Sequence, residues 1–251
     1  MRIATTRYKI IFEYEGGNYC GLQKQSDLLN KSIEEVLENA LRKFCQQSVK
    51  INCSSRTDAG VHALKQVAHF DLNKKFDCYK IIMATNNYLR GENISVIDCE
   101  IVSNNFHCRF DAKMRHYQYV IINRRAPLTL EKNRAWHLPK KLNCKAMREA
   151  AKFLIGEHDF SAFRDSECQA KSPVRTIKKI LIKKNGDKIT ILISAKSFLH
   201  HMVRNIIGTL VWVGNSKIDV LDVKKILESH NRTKSGPNAP ACGLYFLGVD
   251  Y

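Results

Sequence analysis

The run "YKIIFEYE", Tyr8–Glu15, alternates apolar and polar positions with a period of two, which predicts a half-buried strand. After a polar stretch the period lengthens. Ile33, Val36, Leu37, Ala40, Leu41 and Phe44 recur at helical spacing, and Ser32 with Glu35 has the form of a capping box. Two short strand-like runs follow, near 49–53 and 66–72, on either side of the loop "SSRTDAGVHA" (54–63). Asp77 can cap a second helix through about Leu89, and "NISVIDCEIV" supplies another strand. The order is β-α-β-β-α-β.

The rest of the chain repeats that order with insertions. "RHYQYVII" (115–122) reads as a strand, and "CKAMREAAKFLI" (144–155) as a helix capped by Asn143. "TIKKILIKKNGDKITILISA" reads as two strands joined through Asn185-Gly186, a strong hairpin signal. A long apolar helix is predicted through "FLHHMVRNIIGTLVWVG", an extra helix over about 220–229, and a closing strand in "LYFLGVDY". The expected fold is therefore α+β: two ferredoxin-like halves, 1–105 and 106–251, packed together with a central cleft between them that could hold a site. No Pro/Gly/Ser-rich linker occurs near 103–113, so the halves are expected to pack together.

Charge changes this picture from fold toward partner. The formal net charge is +17, and it is unevenly placed: residues 1–105 hold 14 Lys/Arg and 12 Asp/Glu, residues 106–251 hold 27 and 12. A polyanion held mainly by the second half, nucleic acid above all, is the partner such asymmetry predicts. No basic amphipathic helix or lipidation motif favours a membrane surface instead. No apolar run approaches the roughly 20 residues that span a bilayer, and "MRIATTRYKI" lacks the apolar core of a signal peptide. A cytoplasmic protein is expected. Nine cysteines without any C-x-x-C pair suit reduced, mostly buried thiols, and no metal site is expected from their spacing.

Against so basic a background, Asp58 in "SSRTDAGVHA" stands out. Asp in a loop often only caps backbone N–H groups, and Gly60 suits a turn. An aspartic protease would need a second such carboxylate loop, and the chain has none. The run "SSRTDAGVHA" does not stand alone, however. With "RYKIIFEYEG" upstream, "FHCRFDAKMRHYQYVI" and "FLHHMVRNIIG" downstream, and "GLYFLGVDY" at the end, it resembles the tRNA pseudouridine synthases of the TruA family over nearly the full length. One position departs from the family pattern: Leu22 stands in "GLQ" where Trp is usual.

The resemblance implies isomerisation of uridine in the anticodon stem-loop of tRNA, at positions 38 to 40, by a cytoplasmic homodimer with no cofactor. It implies that Asp58 is the nucleophile, attacking C1′ or uracil C6 or else abstracting a C2′ proton, and that Arg204 is its counter-charge. Tyr117 is implied to stack on the target uracil, Arg56 to fill the vacated space or grip a phosphate, and Arg164 to make a further active-site contact. Spacing alone does not separate Tyr117 from Tyr119, which share a strand face. His62 is expected to be structural or to face RNA. The rival readings are a non-catalytic RNA-binding module, whose RNP signature is missing, and a basic assembly protein, which leaves the Arg56–Gly60 block unexplained.

Overall fold

The computed structural model describes residues 5–24 and 31–251. In chain order its elements are β1 (Thr6–Tyr14), α1 (Ile33–Cys45), β2 (Asn52–Cys53), β3 (His62–Leu72), α2 (Cys78–Tyr88), β4 (Ile94–Val102), β5 (Met114–Ile122), β6 (Trp136–His137), α3 (Cys144–Lys152), β7 (Gly156–Asp159), β8 (Val174–Asn185), β9 (Lys188–Ala195), α4 (Met202–Gly214), α5 (Asp222–Glu228) and β10 (Leu244–Asp250). This mixed α+β chain divides into two units, Met1–Lys113 with Tyr245–Tyr251, and Met114–Leu244.

In the first unit the alternation of β1 buries Tyr8, Ile10, Phe12 and Tyr14, and the strand runs antiparallel between β4 and β3. Tyr8 lies opposite Phe70 with the rings stacked 5.7 Å apart. The outer edge of β3 is shared: β2 pairs with it at His69 and Ala68, and β10 runs parallel to it at His62 and Ala63. Ser32 Oγ accepts the Glu35 N–H at 3.1 Å, while the Glu35 carboxylate lies 3.9 Å from Lys24, so the forward half of the expected capping box is the part described. Five of the six expected apolar positions of α1 are buried; Phe44 is half-buried against Phe76.

The unit boundary differs from the expected 105/106. It falls after Lys113, and the closing strand, expected to complete the second half, counts with the first. The hydrogen bonds give the reason: Lys113 N–H donates to Asp250 O, and Tyr251 Oη–H donates to Cys108 O, both at 2.8 Å.

The second unit orders its strands β5-β9-β8-β7, all antiparallel. Asn185 pairs with Lys188, so the hairpin turn is Gly186-Asp187, one residue later than expected, with Gly186 at φ +55°. Helix α3 ends at Lys152 rather than Ile155 because its last N–H groups bond three residues back. Helix α4 starts at Met202 rather than Phe198, because His201 takes the left-handed conformation, φ +59°.

Of the thirteen residues of α4, all but Arg204 and Trp212 are buried, as a helix apolar on every side requires. The segment 231–240 is tied along it by polar contacts. Gly236 N–H donates to Thr209 Oγ1 (2.8 Å), Arg232 Nη2 to Asn205 Oδ1 (2.9 Å), and Arg204 Nε to Ala239 O (2.7 Å). The approach is close enough that a Cβ on Gly208 would stand 1.8 Å from Pro237 O. All nine cysteines are free thiols, and six are buried. No helix among the described residues is long and apolar enough to cross a membrane.

Because backbone, not a flexible side chain, blocks that Cβ, Gly208→Ala must push segment 231–240 off α4. A loss of about 1–3 kcal/mol in urea unfolding is expected; an unchanged midpoint would show that the packing is looser than described.

Candidate active site

Backbone contacts and buried neighbours hold the loop that carries Asp58. At its entry, Ser54 N–H donates to Val67 O (2.8 Å), and the fully buried Gln66 side chain accepts from Ser54 Oγ (2.8 Å) and donates to Ser55 O (2.9 Å). In the middle, Thr57 Oγ1 lies 2.7 Å from Tyr14 Oη, and Thr57 O accepts the Leu22 N–H at 3.1 Å. Val61 N–H closes the turn onto Asp58 O, with Gly60 at φ +79°.

Two glycines let a second segment press against this loop. A Cβ on Gly21, itself at φ +113°, would lie 3.0 Å from Thr57 O and 3.2 Å from Ala59 N; one on Gly16 would stand 2.0 Å from Val61 O. Leu22 is buried, and it joins the loop through its backbone: N–H to Thr57 O, and its own O accepting from Glu34. Loss of the usual Trp ring therefore leaves the hydrogen bonds at this corner in place.

Asp58 is half-buried at the apex, and Arg56 on the same loop is exposed. His62 is buried; its Nδ1 accepts the Gly16 N–H at 3.1 Å, and its ring lies 4.7 Å from that of Tyr245. Of the two roles expected for it, the structural one fits.

In the second unit the two tyrosines of β5 share one face, opposite Ile193 and Ile191 of β9. They differ in what holds them. Tyr119 is 0% exposed, donates its hydroxyl to Pro240 O at 2.7 Å, and leaves no room for a Cβ on Gly243, which would lie 2.6 Å from its ring. Burial pushes that hydroxyl far up from its ordinary pKa. Tyr119 is thus a core residue. Tyr117, 7% exposed, meets Phe198 edge-on at 5.2 Å.

Arg204 is half-buried in the first turn of α4, with its Nε on Ala239 O and its own carbonyl accepting the Ala239 N–H. Arg164 donates to Cys168 O and so braces the turn that follows it. That turn and the start of α4 are tied together: Asp165 N–H donates to His200 O, Asn205 Nδ2 to Phe163 O, and Asp165 Oδ2 lies 2.7 Å from His201 Nδ1. Arg164 and Arg204 thereby belong to one braced cluster. The Asp165–His201 pair was invisible in the sequence, since the partners are 36 residues apart. Gly16 and Gly21 did leave a signal, a Gly-Gly pair and a further glycine shortly after a strand.

The profile of the tRNA pseudouridine synthase family matches residues 10–111 and 150–251. The chain is 47% identical over 245 residues to tRNA pseudouridine synthase A of Anaplasma phagocytophilum (strain HZ), covering 98% of this chain and all of that one. It is 49% identical to the protein of that name from Ehrlichia chaffeensis (strain Arkansas), again over 98% and 100%, and 48% identical to that of Rhodopseudomonas palustris (strain BisA53), over 98% and 99%. The chain belongs to the tRNA pseudouridine synthase family. It is therefore an isomerase by family, and Arg56, Asp58, Arg164 and Arg204 all lie within the matched stretches, while Tyr117 falls in the interval between them.

The Asp165 clamp gives a pH test. Burial raises the Asp165 carboxyl, but the Glu167 N–H, His201 and His200 together outweigh it and hold the group below its ordinary 3.8. A depressed folded-state pKa means stability that is present above the unfolded value and lost as pH falls through the folded one. Asp165→Asn should therefore melt below wild type by a constant margin near neutral pH, and the margin should close below about pH 4. A margin that persists undiminished to about pH 2 would show that the carboxylate charge is not what holds His201.

Proposed function

We propose that this chain isomerises uridine to pseudouridine in the anticodon stem-loop of tRNA, at positions 38 to 40, with Asp58 as the nucleophile. The observation that carries the reading is the Asp58 loop: it has the family's sequence, and buried side chains and close backbone packing hold it in place. In the reaction the N1–C1′ bond breaks and a C5–C1′ bond forms within one nucleotide; the C5 proton leaves and N1 gains one. Nothing is oxidised or hydrolysed, and no cofactor is called for. A carboxylate that adds to C1′ or to C6 holds one fragment while the base turns.

The other roles follow from what that chemistry needs. Arg204 is the counter-charge that keeps Asp58 ionised beside phosphates. Tyr117 stacks on the extruded uracil, a contact worth about 1–3 kcal/mol per base, and its hydroxyl assists removal of the C5 proton. Arg56, exposed on the same loop, grips a flanking phosphate or fills the space the base vacates, and Arg164 supports the Arg204 cluster. The two units are read as two ferredoxin-like halves, and the excess of Lys/Arg in residues 106–251 supplies backbone affinity without sequence choice. The working form is a cytoplasmic homodimer.

Incubation with unmodified tRNA transcripts, followed by carbodiimide mapping, should show pseudouridine at 38 to 40 and nowhere else. Tyr117→Phe should bind tRNA as wild type does but turn over more slowly, and Tyr117→Ala should also lose affinity. Modification outside the anticodon arm would refute the assigned substrate site, and wild-type rates in both variants would remove Tyr117 from the reaction.

A further inference from the structure

The first unit holds a second cluster of reactive side chains that uridine isomerisation does not use. His69 lies on β3, while His107 and Cys108 lie in the connection that leaves β4. One donor atom from each converges within 4.8 Å of the others. His69 Nδ1 and Cys108 Sγ are 3.2 Å apart, and the two imidazole rings meet edge-on at 4.7 Å. His69 is 3% exposed, Cys108 is 0% exposed, and His107 is the half-buried member through which the cluster reaches the surface.

We propose that His69, His107 and Cys108 form a binding site for a zinc-like divalent cation. The donor set is one thiol and two imidazoles, which favours borderline-soft ions over magnesium or calcium. The His69–Cys108 spacing fits as well. Tetrahedral zinc with Zn–S of about 2.3 Å and Zn–N of about 2.0–2.1 Å sets its ligand atoms roughly 3.3–3.6 Å apart. The His69–Cys108 separation needs to widen by only a few tenths of an ångström to receive such an ion.

Binding has a stated proton balance. The Cys108 thiol, now 2.9 Å from Asn52 O, gives its proton to solvent and binds as thiolate; the imidazoles bind neutral. His107 Nδ1 accepts long backbone N–H contacts from Arg109 (3.2 Å) and Phe110 (3.4 Å). Ligation through either ring nitrogen gives these up, because a metal-bound Nδ1 has no lone pair to spare and Nε2 ligation puts the proton on Nδ1. A water on the His107 side completes the four-coordinate shell.

Such an ion would staple β3 to the connection after β4, at a point where Tyr251 already bonds Cys108 O. Its role is structural and separate from the Asp58 loop, so it does not depend on the proposed reaction.

The test uses the full-length, metal-stripped protein titrated with cobalt(II). One equivalent should produce a thiolate-to-cobalt charge-transfer band with tetrahedral ligand-field absorption, zinc should displace it, and zinc should raise the melting temperature. Cys108→Ser and His69→Gln should weaken binding by about tenfold or more, and Cys20→Ser should not. Absence of the thiolate band in the wild type overturns the site without recourse to any variant, as does its survival in Cys108→Ser.

Discussion

The backbone of Gly16–Leu22 lies against the backbone of Thr57–Val61 with no space for a side chain at Gly16 or Gly21, and that contact governs the rest of the first unit. It needs a glycine at φ +113° at position 21, a buried Gln66 to hold the loop entry, and Tyr14 to meet Thr57. Both partners hang from strands: Tyr14 ends β1, whose alternation is plain in the sequence, and Gln66 lies within β3. A loop held this way presents one half-buried carboxylate in a fixed place. Positioning of that kind is worth more to a nucleophile than to a turn, since a displacement of about 1 Å can cost on the order of a hundredfold in rate.

The second unit solves a different problem with similar means. A helix buried on nearly every side must still carry an arginine, and α4 does so at Arg204, where segment 231–240 offers Ala239 O to the guanidinium. Gly208 makes that zipper possible, and Asp165 fixes His201, the residue that starts the helix in a left-handed conformation. On the proposed reading, the lysines and arginines of residues 106–251 need none of this precision, because affinity for a phosphate backbone tolerates mobile side chains. The proposed function thus places binding and chemistry on groups of contrasting rigidity.

Much of this was legible in the sequence because hydrophobic period reports burial directly: the strand at Tyr8, the helix at Ile33 and the hairpin of β8 and β9 stand where alternation and helical spacing put them. Errors collected at ends. The hairpin turn moved by one residue and α4 lost its first turn, since both depend on single backbone conformations, at Gly186 and His201, that periodicity does not encode. The closing strand counted with the other unit, because its ties to Lys113 and Cys108 are long-range. At the site, family resemblance alone singled out Tyr117 over Tyr119; the structure adds that Tyr119 is buried and bonded to Pro240 O, a long-range contact that spacing does not encode. The His69, His107 and Cys108 cluster joins positions 38 and 39 residues apart on different elements; no spacing rule detects it.

The proposed function rests on Asp58 acting as a reacting group rather than a loop cap. Asp58→Asn keeps the side chain's shape and hydrogen-bonding reach but removes its charge, so the two roles separate cleanly. Single-turnover pseudouridine formation and filter binding to the same tRNA, measured side by side on folded Asp58→Asn, decide between them. A nucleophilic Asp58 predicts full binding with no detectable isomerisation; appreciable turnover by the variant would contradict it.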